Sequence, residues 1–193
     1  MSSANNQCAD AHPTLAADTR SAQARAVVLA LGSRFRGDDG VGPYVLDLIA
    51  DHVRQSKRID AIEGAEDAMA LINAWQEADL AVVIDAAVSG VKPGTVHRLD
   101  GGAQLLTREL AGCSSHGLGL AEAVELARLI GRMPQRLLVY AIEVATLEAG
   151  APLSAAVRAA ANTVNLEIRT QLAPYEDSMD CDPQRDASES DDA

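Results

Sequence analysis

Four acids stand where short apolar runs give out. Asp39 lies a few residues beyond Ala26–Leu31, Glu63 ends the run from Ile59, Asp85 directly follows Leu80–Ile84, and Glu143 directly follows Arg136–Ile142. If those runs are parallel strands, all four carboxylates reach one rim, because open α/β sheets bind ligands beyond the carboxyl ends of their strands. His116, in Ser114-Ser115-His116-Gly117-Leu118-Gly119-Leu120, can join that rim from just before a helix. One imidazole with two distant carboxylates is a feasible mixed N/O set for a divalent metal. Each residue also has a plainer use. Asp38 or Asp39 can N-cap the following helix, Asp85 can be a solvated loop acid, and a lone histidine can be structural.

Two other chemistries are weighed on the same residues. The glycine-rich segment Gly32-Ser33-Arg34-Phe35-Arg36-Gly37-Asp38-Asp39-Gly40-Val41-Gly42 joins a strand to a helix, as a phosphate cradle would. Its spacing is neither GxGxxG nor a P-loop. Two adjacent aspartates at a helix N-terminus repel phosphate but suit a cation. Cys113 lies near His116, yet no nucleophile motif or oxyanion-hole pattern surrounds it, and Ser114 and Ser115 lack a G-x-S-x-G elbow. A buried thiol and a helix start are the simpler assignments. His12, His52 and His97 are left out of the site: His12 is in the N-terminal extension, His52 on the polar side of a helix, and His97 on the exposed side of an edge strand.

The elements that must hold these residues follow from apolar periodicity. Ala26–Leu31, Leu80–Ile84 and Arg136–Ile142 are continuous apolar runs of the kind buried on both faces of a sheet. Ile59–Glu63 and Gly94–Leu99 are weaker strands. Val41, Val45, Leu48, Ile49 and Val53 mark one helical face, with Pro43 in its first turn. Helices are further predicted over Ala65–Trp75, Gly117–Arg132 and Leu153–Leu172, the last stopped by Pro174. The order β-α-β-α-β-β-α-β-α predicts a three-layer α/β/α domain on a twisted, mostly parallel sheet of about five strands.

Composition sets outer bounds. The 193 residues fit one domain with tails. Only five residues are aromatic, so aliphatic side chains must fill the core and a stacking platform for single-stranded nucleic acid is excluded. The net charge of −12 opposes nucleic-acid binding. Residues 176–193 hold eight acids and one base and carry −7, leaving an ordinary −5 for the rest. Residues 1–24 are read as a disordered extension, 25–173 as the folded domain, and 174–193 as an acidic disordered tail. Three cysteines, Cys8, Cys113 and Cys181, form no disulfide framework or CxxC zinc site, which fits a reducing cytoplasm. No apolar run is long enough for membrane insertion, and residues 1–20 lack a secretory signal's apolar stretch.

Taken together, the motifs resemble one family. Leu31–Gly42 resembles the opening signature of the hydrogenase maturation proteases, the endopeptidases that finish the large subunit of nickel-iron hydrogenases. Val82-Val83-Ile84-Asp85-Ala86 is similar to the second motif, Pro93-Gly94-Thr95 to the segment after it, Ser114–Leu120 to the third motif, and Ala141-Ile142-Glu143 to a late strand end. The similarity runs in order over residues 26–172. Ala30 and Ser33 stand where the family commonly has glycine and asparagine.

The resemblance implies that Asp39, Asp85 and His116 are the metal-contacting and catalytic trio. It implies an endopeptidase that removes the C-terminal peptide of a nickel-loaded large-subunit precursor, with nickel supplied by that substrate and not tightly resident. The metal would polarise the scissile carbonyl, lower the pKa of an attacking water, or only position the cut, and either aspartate would be the general base. The alternatives are a hydrogenase assembly chaperone that binds metal without proteolysis and a hydrolase with a resident metal.

Overall fold

In a computed structural model of the chain, the residues described are 24–65, 67–100 and 117–176. Residues 1–23, 101–116, which include Cys113, Ser114, Ser115 and His116, and 177–193 lie outside them. Along the chain come β1 (Ala26–Ala30), a 3-10 turn (Gly37–Gly40), α1 (Val41–Arg54), β2 (Ile59–Glu63), α2 (Ala68–Trp75), β3 (Leu80–Ala87) and β4 (Val96–Asp100). They are followed by α3 (Gly117–Ile130), β5 (Arg136–Glu143), α4 (Ala155–Leu172) and a closing 3-10 turn (Ala173–Tyr175).

The sheet order is β2-β1-β3-β5-β4. β2, β1, β3 and β5 are parallel, and β4 pairs antiparallel with β5. Residues of β1 and β3 alternate between two cores. Val28 and Ala30 of β1, with Val82 and Ile84 of β3, pack against α1 and α4. Val27 and Leu29, with Ala81 and Val83, pack against α2 and α3. This makes the predicted α/β/α layering. Both cores are mostly aliphatic; Trp75 and Tyr140 are the largest fully buried side chains.

The order reverses at one place. From β1 the chain crosses to β2 on one side, then returns over α2 to β3 on the other side of β1. The neighbours β1 and β3 therefore form the switch point of the sheet, where a crevice opens at the carboxyl edge.

Several boundaries differ from the sequence reading. Asp85 does not follow β3; pairing with β5 carries the strand to Ala87 and places Asp85 opposite Ala141. α2 starts at Ala68, because Asp67 caps it by accepting a bond from Ala70 N–H at 2.8 Å. Ser154 caps α4 through Val157 N–H. Neither aspartate caps α1, since the 3-10 turn intervenes and Gly40 takes the cap position without a side-chain bond. Residues 174–176, assigned by composition to the tail, sit on the body. The Tyr175 carbonyl accepts from Ser56 Oγ at 2.6 Å, the Glu176 carbonyl accepts from the Arg58 guanidinium, and His52 Nδ1 lies 3.5 Å from Glu176 Oε1. No helix among the described residues is long and apolar enough to cross a membrane.

Candidate active site at the sheet switch point

Asp39 and Asp85 stand at the carboxyl edge of the two strands that flank the switch point. Asp39 is in the 3-10 turn after β1 and is fully buried. Its Oδ2 accepts a hydrogen bond from Ser33 N–H at 2.9 Å, which folds the β1–α1 loop back on the carboxylate. Gly32 permits this close turn. Its φ is +101°, and a Cβ there would lie 2.0 Å from the Asp39 carbonyl oxygen. Asp85 is also fully buried, so it is not a solvated loop acid. Its Oδ1 accepts from Ala86 N–H at 2.8 Å. Strand alternation turns it, like Ala81 and Val83, toward the face covered by α2 and α3.

His116 lies outside the described residues. The residue bonded to it, Gly117, opens α3 on that same face, and Gly119 and Leu120 of the first turn line a cleft with Leu31 and Gly32 from the end of β1. The structure thus brings Asp39 and Asp85 to adjacent strand ends, with the start of α3 at the same edge. Among the described residues no three His, Cys, Asp or Glu side chains form a metal-sized group. Two buried carboxylates at one rim are costly to keep charged unless positive charge or hydrogen bonds compensate, which is the environment a divalent cation fits. Carboxylate oxygens are common ligands of divalent cations, and imidazole nitrogen is a common partner in mixed sets.

The other acids of the rim have structural occupations. Asp38 is fully buried, and its Oδ2 accepts from Ala145 N–H at 2.8 Å and Thr146 N–H at 3.2 Å, while its Oδ1 accepts from Ser154 N–H at 2.6 Å. It ties the first turn to the β5–α4 loop. Glu143 is 2% exposed and accepts from Ser89 N–H, Ser89 Oγ–H and Gly90 N–H at 2.7–3.1 Å. Burial pushes its pKa up, but those bonds and the nearby His97 pull harder, and the carboxyl stays below its ordinary range. Glu63 is bound by Arg34, whose Nε and Nη2 donate to Oε1 and Oε2 at 2.7 and 2.8 Å. The same guanidinium reaches Asp47 of α1 at 2.7 and 2.9 Å. These two carboxylates raise the Arg34 pKa above the ordinary guanidinium value.

His97 is not on an exposed face. Its side chain is 26% exposed and its Nε2 lies 3.6 Å from Glu143 Oε2, because antiparallel pairing sets it opposite Ala141. The Arg34 clamp and the Glu143 anchor were missed in the sequence. Each joins residues 13–54 positions apart, and no local spacing announces such a partner.

Residues 43–171 match the family described as hydrogenase maturation protease, two thirds of the chain. The hydrogenase expression/formation protein HupD of Thiocapsa roseopersicina is 26% identical over 122 residues, covering 63% of this chain and 55% of that protein. HupD of Bradyrhizobium diazoefficiens is 28% identical over 149 residues, covering 72% and 73%. Among solved structures, the hydrogenase maturating endopeptidase HybD from E. coli superposes with a TM-score of 0.69 at 22% identity, covering 77% of this chain and 92% of that one, a likeness of fold. The [NiFe] hydrogenase maturation protease HybD from Thermococcus kodakarensis gives 0.61 at 26% identity, covering 77% and 99%.

Proposed function

The chain belongs to the hydrogenase maturation protease family, and from that premise we propose that it is a cytoplasmic endopeptidase that trims the C-terminus of a nickel-loaded large-subunit precursor of a nickel-iron hydrogenase. The observation that carries this reading is the meeting of Asp39 and Asp85 at the β1/β3 switch point, at the edge where the helix after His116 begins.

The chain's part in the reaction follows from those residues. Asp39, held by Ser33 N–H, and Asp85, held in β3, offer oxygen donors at a fixed rim, and His116 supplies a nitrogen. Three donors leave coordination positions for the cysteine thiolates that carry nickel in the precursor, so metal arrives and leaves with the substrate. Nickel held there would supply Lewis acidity toward the scissile carbonyl, a more acidic attacking water, or only the position of the cut. One of the two carboxylates accepts the proton of the attacking water, and the rigid strand ends hold the bond near it.

The test is intact-mass measurement after incubating the protein with nickel-loaded and with nickel-free precursor. The expected result is loss of one C-terminal peptide from the loaded form only. Asp39→Asn, Asp85→Asn and His116→Ala should each lower the rate by at least about a hundredfold, with circular dichroism unchanged. Brisk cutting of nickel-free precursor, or a folded variant that cuts at the wild-type rate, contradicts the mechanism or removes that residue from the site.

A further inference from the structure

Phe35 is 81% exposed, the most exposed large apolar side chain among the described residues. A single exposed apolar residue means little alone, but this one is held in place. Its neighbour Arg34 is clamped between Asp47 and Glu63. Its carbonyl accepts from Gly150 N–H at 2.8 Å, and its own N–H donates to Ser33 Oγ at 3.4 Å. A backbone held in this way has already met the main-chain part of the ordering cost that binding would impose.

Phe35 borders a cleft of about 560 Å³ whose apolar walls include Leu31, Ala65, Leu71 and Leu120. Gly64 of the lining leaves space beside it, since nothing lies within 4 Å of where a Cβ would be. Arg34 and Glu63, the charged residues of the lining among those described, are bonded to each other, and Arg34 also binds Asp47, so the guanidinium is already engaged by carboxylates of this chain. The cleft adjoins Asp39, because Ser33 both lines it and donates its N–H to that carboxylate. A space of this size holds a few side chains of an extended segment.

We propose that Phe35 and the cleft it lines are the docking surface for an apolar segment of the polypeptide substrate next to the bond to be cut. This rests on the protease reading, and Phe35 acts in it as a binding anchor.

The test uses the full chain with nickel-loaded precursor and compares wild type, Phe35→Ser, Phe35→Leu and, as a distant control, Leu129→Ser, which is 73% exposed near the C-terminal end of α3. KM and kcat come from intact mass, Kd from calorimetry, Tm from a thermal scan, and oligomeric state from sedimentation. Phe35→Ser should raise KM and Kd about tenfold or more while kcat stays within about twofold, with Tm unchanged. Phe35→Leu should keep most of the affinity, and Leu129→Ser all of it. Wild-type KM and Kd in Phe35→Ser, or a fall in kcat alone, overturns the proposal. So does a wild-type dimer that Phe35→Ser splits without weakening precursor binding, because the occupant is then a second copy. If wild type binds precursor through Phe35 but never cuts it, the docking inference stands and the proteolytic reading fails.

Discussion

At the residue scale, the acids of the carboxyl edge divide by what holds them. Asp38 and Glu143 take three or more bonds from N–H or O–H donors and brace loops, Glu63 is an ion-pair partner, and Asp39 and Asp85, which accept from Ser33 N–H and Ala86 N–H, stand at the switch point. Sequence placed all four strand-end acids on one rim but could not sort them, because bracing depends on donors from distant segments. Glu143 gives a pH-dependent expectation. Its folded pKa is depressed, so its bonds stabilise the fold above the ordinary carboxylate range, and that contribution disappears as pH falls through the folded pKa. Glu143→Gln should cost about 1–3 kcal/mol at neutral pH and flatten the acid side of the stability curve. Urea midpoints taken from about pH 3 to pH 7 check this; a slope equal to wild type would mean that the carboxylate's bonds do not distinguish the folded state.

At the element scale, the legible part was whatever declares itself locally. Continuous apolar runs marked β1, β3 and β5, and period-3.6 faces marked the helices, because burial on both faces of a parallel sheet or on one face of a helix leaves that pattern. The order β2-β1-β3-β5-β4, which creates the switch point, is set by long-range pairing and was not in the pattern. Nor was the 3-10 turn that displaced the expected cap of α1. Gly42 shows how tightly α1 enters the sheet: a Cβ there would meet the Leu31 carbonyl oxygen at 2.4 Å and that of Ile84 at 3.0 Å. Both are backbone atoms, one just past the end of β1 and the other inside β3, so neither can swing away. Gly42→Ala should push α1 off the switch point, cost about 1–3 kcal/mol, and lower cleavage even where the protein stays folded. Chemical denaturation with an activity assay at low temperature measures both; wild-type values would mean the helix has room to shift.

For the whole molecule, composition predicts a folded body with acidic residues concentrated at one end, and the body is held further along the chain than the Pro174 stop suggests. Tyr175 and Glu176 reach the segment between α1 and β2, and Tyr175 packs against the core beneath α1 and α4. A chain ending at Glu176 should therefore keep the wild-type Tm, since residues 177–193 are rich in acids and lack apolar periodicity. A chain ending at Leu172 should lose about 3–6 °C, the effect of one to two kcal/mol in a domain of this size. Thermal scans of the two truncations decide it, and equal melting temperatures would show that the Ser56 and Arg58 contacts add nothing.

The pairing of β1 with β3 also has a kinetic side. Ala26 lies against Leu80, so the two candidate acids become neighbours only after a chain segment of more than fifty residues has closed into parallel register. Contacts of such sequence separation lose loop entropy before they are rewarded, and they form late. A nascent or refolding molecule that has paired β1 only with β2 has one of the two carboxylates in place and no crevice between them. On the proposed function, proteolytic competence should thus emerge in the slowest refolding phase, so that half-made copies would not act on a precursor.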